Sequence, residues 1–219
     1  MDDARTGCLE IVSDAICPWC YIARRHLEIA RPHIAAAGIR LAVHWRAFQL
    51  NPAMPAAGMP RAAYRAAKFG TPGRAAELDA QVVAAAAKAG LPLALDRIAR
   101  TPSTVDAHRL AALAALTGRQ DAVVGRMFAA YFADARDIGD LAVLLDCAEA
   151  AGLPHAETGA WLAGDAGRAE VLAEDASFRA AGLTGVPTFI LEGHVLFSGA
   201  LPAETMAEAI TAAAKVLLT

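Results

Sequence analysis

Two cysteines three positions apart, in Cys17-Pro18-Trp19-Cys20, stand where one side-chain periodicity ends and another begins. Before them, Leu9-Glu10-Ile11-Val12-Ser13 alternates apolar and polar residues, the period of a strand. After them, from Tyr21 to about Ala37, Ile22, His26, Ile29 and Ala30 share one face of a helix that Gly38 ends. With Cys17 at or just before the helix start, Pro18 takes the first helical position, where its fixed φ helps and its missing N–H costs nothing. Cys20 then follows one turn later on the same side, within reach of a disulfide. The unpaired N–H groups and the positive dipole end of the first turn face the Cys17 sulfur and favour thiolate over thiol. Cys17 is therefore the expected attacking group, and Cys20, under the helix, the resolving thiol.

Other uses of the pair are weaker. A lone CxxC is half of a zinc site, but Cys8 and Cys147 are isolated and His26 lies within the helix body, so no metal is expected. Four cysteines in 219 residues are too few for a disulfide scaffold. Cys8 reads as a buried strand residue and Cys147 as a helix-packing residue.

Ile39-Arg40-Leu41-Ala42-Val43-His44-Trp45 alternates again, so the chain opens strand–helix–strand. A loop with Pro52, Pro55, Gly58 and Pro60 leads into a helical middle. There Leu78, Val82, Ala85 and Ala89 mark one face, Val124, Met127, Phe128 and Tyr131 a second, and Leu141, Leu144, Leu145 and Ala148 a third. Ser103 before Asp106 approximates a capping box, with Leu110, Leu113 and Ala114 on one side of the helix it opens; Asp165 is a candidate cap for a further helix reaching toward Ala181. Thr188–Glu192 and His194–Phe197, separated by Gly193, read as a hairpin, and Leu201-Pro202-Ala203-Glu204 starts a last helix. Strand–helix–strand followed by strand–strand–helix is the thioredoxin order. The expected architecture is α/β: a thioredoxin-like fold with an inserted all-helical domain. Its parts are residues 1–51 and 166–219 for the thioredoxin-like domain and 52–165 for the insertion, because neither flanking half completes a sheet alone.

The balance of composition limits the partners. The chain is 56% hydrophobic and only 6% aromatic, with much alanine, which suits tight helix–helix contacts within one chain or between two copies of a homodimer. A net charge of −3 with no long basic run supplies no field for nucleic acid or an anionic membrane. Charged residues interrupt every apolar stretch before it reaches transmembrane length. The acidic start, Met1-Asp2-Asp3-Ala4-Arg5-Thr6, lacks the pattern of a secretory signal and points to a cytoplasmic protein.

Asp14-Ala15-Ile16-Cys17-Pro18-Trp19-Cys20-Tyr21, Phe48-Gln49-Leu50-Asn51-Pro52, Asp106-Ala107-His108-Arg109-Leu110, Ala130-Tyr131-Phe132, Gly185-Val186-Pro187-Thr188-Phe189 and Ser198-Gly199-Ala200 together resemble the DsbA family of thiol–disulfide oxidoreductases, and within it the FrnE-like group. The resemblance implies that Cys17 and Cys20 are the redox pair. It also implies that Pro187 is a cis-proline facing them, with Val186 offering backbone groups to an extended peptide or a thiol-bearing substrate. The plain reading of Pro187 is a tolerated first strand residue. Pro18 and Trp19 are candidate substrate contacts. His108 and Arg109 are candidate substrate-binding groups if their helix opens toward the cleft; otherwise His108 packs and Arg109 is solvated. His44 and Arg46 read as structural or surface groups. The chain departs from relatives at Ser103 or Thr104, where Asn is frequent, and at Leu201, where a polar residue is common.

The leading expectation is a thiol–disulfide oxidoreductase acting on thiol or disulfide substrates. It would hold no tightly bound cofactor and would use glutathione, if at all, as a redox partner. The alternatives are a glutathione-dependent isomerase or transferase, like the 2-hydroxychromene-2-carboxylate isomerases and kappa-class glutathione transferases that share the architecture but usually carry serine at the first cysteine, and a non-enzymatic chaperone using an apolar cleft beside Trp19.

Overall fold

The computed structural model describes residues 5–218; the acidic start through Ala4 lies outside the described residues. Strand β1 (Arg5–Ser13) is longer than the alternation predicts, because its polar first half pairs along the whole of β2 (Ile39–Ala47). Helix α1 (Pro18–Ala36) joins them, and the two strands run parallel. Strands β5 (Thr188–Leu191) and β6 (His194–Ser198) form the expected hairpin. Its two-residue turn places both Glu192 (φ 48) and Gly193 (φ 77) in the left-handed region, the geometry that matches strand twist. The sheet order is β2-β1-β5-β6, so its central antiparallel pair joins a strand before the helical block to one after it.

The sheet is covered on both faces. On one, Leu9, Ile11, Phe189 and Leu191 are fully buried in the cluster that also takes in Leu27 of α1 and Ile210 of α9 (Ala203–Leu217). On the other, Val12, Ile190 and Phe48 pack against Phe178 of α8 (Arg168–Ala180) and Leu183. The helices between the halves are α2 (Arg61–Phe69), α3 (Pro72–Lys88), α4 (Val105–Ala115), α5 (Gln120–Phe128), α6 (Leu141–Ala150) and α7 (His155–Ala163). The apolar faces of α3 to α7 join the same buried cluster as the sheet, so the block shares its core with the thioredoxin-like part, while α2 buries no residue. A two-residue ladder between β3 (Met59–Pro60) and β4 (Arg100–Thr101) ties the first loop of the block to its middle. Gly58 permits it: a Cβ there would lie 2.7 Å from the Thr101 carbonyl oxygen, and its φ is +64.

Several local expectations need correction. Thr104, not Ser103, precedes α4, and no side chain caps that helix. Helix α8 begins after Gly167 in a left-handed conformation; Asp165 instead accepts hydrogen bonds from Arg168, which turns the chain into the helix from outside. Leu141 is 44% exposed while Leu144 and Ala148 are buried, because Leu141 is the first residue of α6, one turn short of the packed stripe. Tyr131 is buried, but α5 ends at Phe128 and the chain continues as a π-helical turn over Ala129–Ala133.

The edge strand β2 is closed by a device absent from the periodicity. Gln120 accepts from the Trp45 backbone N–H at 2.9 Å and donates to the Trp45 carbonyl at 2.8 Å, pairing with the strand as a backbone would. Asp121 accepts from the Trp45 indole at 3.0 Å. These bonds fix α5, and with it the block, against the sheet.

Candidate active site

The chemistry of the site begins where β1 ends. After Ser13 the chain turns through Asp14-Ala15-Ile16, and the Cys17 N–H donates to the Asp14 carbonyl at 3.0 Å. Cys17 is the N-cap of α1, with extended backbone angles, and its carbonyl accepts from the N–H groups of Cys20 and Tyr21. Pro18 occupies the first helical turn, as its fixed φ favours. The Asp14 carboxylate, fully buried, accepts from the Leu50 N–H at 2.7 Å and so ties this turn to the loop after β2.

The Cys17 side chain makes no capping bond to its own helix. Its thiol donates instead to the Val186 carbonyl at 3.6 Å. The Val186–Pro187 peptide bond is cis. Its loop is held from behind by Thr188, whose hydroxyl donates to the Gly185 carbonyl at 3.0 Å, and by the Gly199 N–H on the Pro187 carbonyl at 2.8 Å. Cys17, Pro18, Trp19 and Val186, with Pro187 following it, therefore come together.

Cys17 and Cys20 are both free thiols, and Cys20 is fully buried behind Cys17. Burial pushes the Cys20 thiol well up, reinforced by its hydrogen bond to Cys17 and by the Asp14 carboxylate. The other two cysteines lie elsewhere. Cys8 is half-buried on β1, with its thiol raised by burial, and Cys147 is packed in α6, its thiol raised to about 11 by burial.

His108 and Arg109 do not join the cleft. Arg109 is fully buried with its guanidinium turned the other way. It donates to the carbonyls of Trp161, Leu162, Gly164 and Ala166 and to Asp106, clamping the end of α7. The expectation of a substrate contact at Arg109 is corrected, because those acceptors use up its donors. His108 is buried behind the motif, with Nε2 3.5 Å from an Asp14 carboxylate oxygen, and it borders a separate cavity beside β2. His44 is exposed, and Arg46 bridges Glu10 and Glu174 on the surface.

Sequence reasoning missed the opposite wall. A cleft of ≈ 270 Å³ opens beside Cys17, Pro18 and Trp19, with Val186 and Leu50 on the sheet side and α2 and α3 on the other. Trp19 is 36% exposed at its rim. The far wall presents Arg61, Tyr64, Arg65, Lys68 and Phe69 from α2, and Asp79 and Val82 from α3. Nothing local in Arg61–Phe69 says that this segment forms a helix folded back over the CxxC.

Among the described residues, no group of three or more His, Cys, Asp or Glu is placed to hold a metal ion, and no helix is long and apolar enough to cross a membrane. No curated protein matches the sequence. Solved structures do. A probable DsbA oxidoreductase from Streptomyces coelicolor is 34% identical, over 94% of this chain and 89% of that one, with a TM-score of 0.82. The cytosolic disulfide reductase DsbM from Pseudomonas aeruginosa is 22% identical over 97% and 100%, TM-score 0.66, and has also been solved with GSH. A 2-hydroxychromene-2-carboxylate isomerase is 16% identical over 95% of each chain, TM-score 0.68. The last two likenesses are of fold. The family model of the DSBA-like thioredoxin domain matches residues 8–211, from the first strand to the last helix. The chain belongs to the DsbA-like thioredoxin family of thiol–disulfide oxidoreductases.

Proposed function

We propose that the protein exchanges disulfides through Cys17 and Cys20, with Cys17 as the attacking sulfur and Cys20 as the resolving one. The observation that carries the assignment is their asymmetry: Cys17 borders the cleft and touches the Val186 carbonyl, while Cys20 is fully buried behind it with its thiol raised. In the reducing direction, the Cys17 thiolate attacks one sulfur of a substrate disulfide, forming a mixed disulfide and releasing the first substrate thiol. Cys20 then loses its proton to solvent and attacks the Cys17 sulfur, which closes the Cys17–Cys20 bond and releases the second thiol. Two electrons pass from the dithiol to the substrate. The oxidising direction is the reverse.

The raised Cys20 thiol fits this order. At neutral pH it stays protonated and does not compete for the incoming disulfide; it attacks only a sulfur already held beside it. Val186 supplies a backbone acceptor where the substrate would lie, and Trp19 an apolar rim. Pro187 sets that loop opposite Cys17. His108 is a positioning group behind Asp14 in this reading, and Arg109 a structural one.

Glutathione suits the role of soluble redox partner, since the similarly folded DsbM crystallises with it, and that protein's cytosolic description supports a cytoplasmic site of action here. The FrnE-like placement rests on the motif residues around Cys17, His108 and Pro187. Two cysteines in the motif favour exchange over glutathione-dependent isomerisation, which the shared fold with a 2-hydroxychromene-2-carboxylate isomerase keeps as the competing reading.

The test is trapping. Cys20→Ala should accumulate a mixed disulfide on Cys17 with a small disulfide or with a thiol-labelled peptide, and Cys17→Ala should accumulate none at the motif. Adducts on Cys20 in Cys17→Ala but none on Cys17 in Cys20→Ala would reverse the roles. Undiminished turnover of a small aromatic substrate by Cys17→Ser, without dithiol exchange by the parent protein, would favour the isomerase reading.

A further inference from the structure

The wall facing Cys17 carries more positive charge than its own partners neutralise. Arg61, Arg65 and Lys68 project from one face of α2 into the cleft, and the lining holds a single acid, Asp79. Both arginines share that acid: Arg65 lies 2.9 Å from one carboxylate oxygen and Arg61 3.6 Å from the other. Arg65 also donates to the Ala75 carbonyl. Lys68 donates to the Leu50 carbonyl at 3.3 Å and to Asn51 Oδ1 at 3.1 Å, both uncharged acceptors. One carboxylate against three cations leaves an excess of two positive charges in a cleft bounded by Tyr64, Phe69, Val82, Leu95 and Phe132. A guanidinium has five donors, and Arg61 spends few of them. This excess stands out on a chain whose net charge is −3.

From the cationic α2 wall across the ≈ 270 Å³ cleft from Cys17, we infer that the preferred substrate is a low-molecular-weight disulfide, or its thiol, bearing carboxylate groups. The inference rests on the proposed exchange at Cys17 and names its substrate class. The sulfur of such a molecule sits at Cys17 beside the Val186 carbonyl, while its carboxylate reaches the spare donors of Arg61 and Lys68 on α2. The cleft, walled by α2 and α3, suits a molecule of a few residues. Its walls have low polarity apart from these charges, which lets the field act on an approaching ion. The chemistry is the exchange given above: reduced protein and R–S–S–R yield the Cys17–Cys20 disulfide and two R–SH, with no further reactant.

Two disulfides with the same two-methylene spacer and opposite charge test the inference: 3,3′-dithiodipropionate, an anion, and cystamine, a cation. Reduced protein is mixed with each, and the rate of Cys17–Cys20 oxidation is followed in a single turnover, each rate divided by that of a free model thiol with the same disulfide. The corrected rate should favour the anion by about tenfold at low salt, with the ratio shrinking as ionic strength rises. Arg61→Gln and Lys68→Gln should lower the anion rate several-fold and raise the cation rate, whereas Asp79→Asn should widen the preference. A variant that failed to fold would lose both rates together, so opposite changes are the signature. Equal corrected rates, a preference for cystamine, or a preference indifferent to Arg61→Gln and Lys68→Gln would overturn the substrate class while leaving the exchange at Cys17 standing. If neither disulfide oxidised the protein, the exchange reading itself would fall, and this inference with it.

Discussion

The wall that carries Cys17 is anchored in the sheet: β1 runs straight into it, the buried Asp14 ties it to the loop after β2, and α1 behind it buries Cys20, Tyr21, Ile22, Ala23, Leu27, Ala30 and Ile34. The facing wall is held quite differently. Helix α2 has no buried residue, and it is kept in place by the Arg61–Asp79–Arg65 ion pairs, the Lys68 bonds to the 50–51 loop, and the Asn51 side-chain amide, which donates to the Tyr64 hydroxyl at 3.0 Å. The reacting sulfurs thus sit on the part of the molecule whose opening costs nearly the global stability. The charges that would choose a substrate sit on a part that can shift at small cost. Bond exchange between two sulfurs demands fixed geometry, whereas recognition of a flexible ion tolerates movement.

Substitutions on the two walls should therefore differ in kind. The largest effect is on the sheet side: Cys17→Ala should abolish dithiol exchange, and Cys20→Ala should retain the first attack but stop after one mixed disulfide, both read by mass spectrometry of quenched reactions. Next come buried residues that hold the sheet core and the helical block together internally. Phe189→Ala should cost about 3–5 kcal/mol in urea denaturation, because its fully buried ring stacks 4.6 Å from Phe197 under the sheet. Arg109→Ala should cost a similar amount, about 3–5 kcal/mol, since it strips a set of buried carbonyls of their donor. The folded fraction of that variant should still react at Cys17. Normal stability in Arg109→Ala with impaired exchange would instead place Arg109 at the substrate.

A smaller effect appears with pH. The Cys20 thiol is raised in the folded protein, so the fold prefers its protonated form. That preference contributes stability in full below the ordinary thiol value of 9.0 and is lost as pH rises beyond it. Cys147, raised to about 11, acts in the same direction. The melting temperature of the reduced protein should fall above pH 9, and Cys147→Ala should make the fall shallower. The smallest effect belongs to the α2 wall. Arg61→Gln should change stability by less than about 1 kcal/mol, as a pair near the surface would. Backbone amides of α2 should exchange with deuterium well before those of α1, and equal protection of the two helices would break the contrast drawn here.

The sheet side was legible in the sequence because its signals are local. Alternation marks β1 and β2, Pro18 marks the helix start, and Gly193 marks the hairpin turn, each within a few residues. That the two halves complete one sheet followed from the order of elements, whereas the pairing of β1 with β5 is seen only in the structure. The helical side was legible as helices but not as a wall. Which way α2 turns depends on Asp79 in another helix and on the β3–β4 ladder, partners distant in sequence that no periodicity reveals. Arg109 misled for the same reason: its charge suggests a ligand, but carbonyls at the end of α7 had already claimed it. Gln120 was passed over because a glutamine at a helix start gives no hint that it will pair with the edge of a sheet.

The most direct measurement of the central claim is peptide mapping of the protein after oxidation with a single equivalent of disulfide, with free thiols blocked under acid quench. The account predicts one new linkage, between Cys17 and Cys20, with Cys8 and Cys147 recovered as blocked thiols. Recovery of Cys17 and Cys20 as blocked thiols, or a linkage of either one to Cys8 or Cys147, would contradict it.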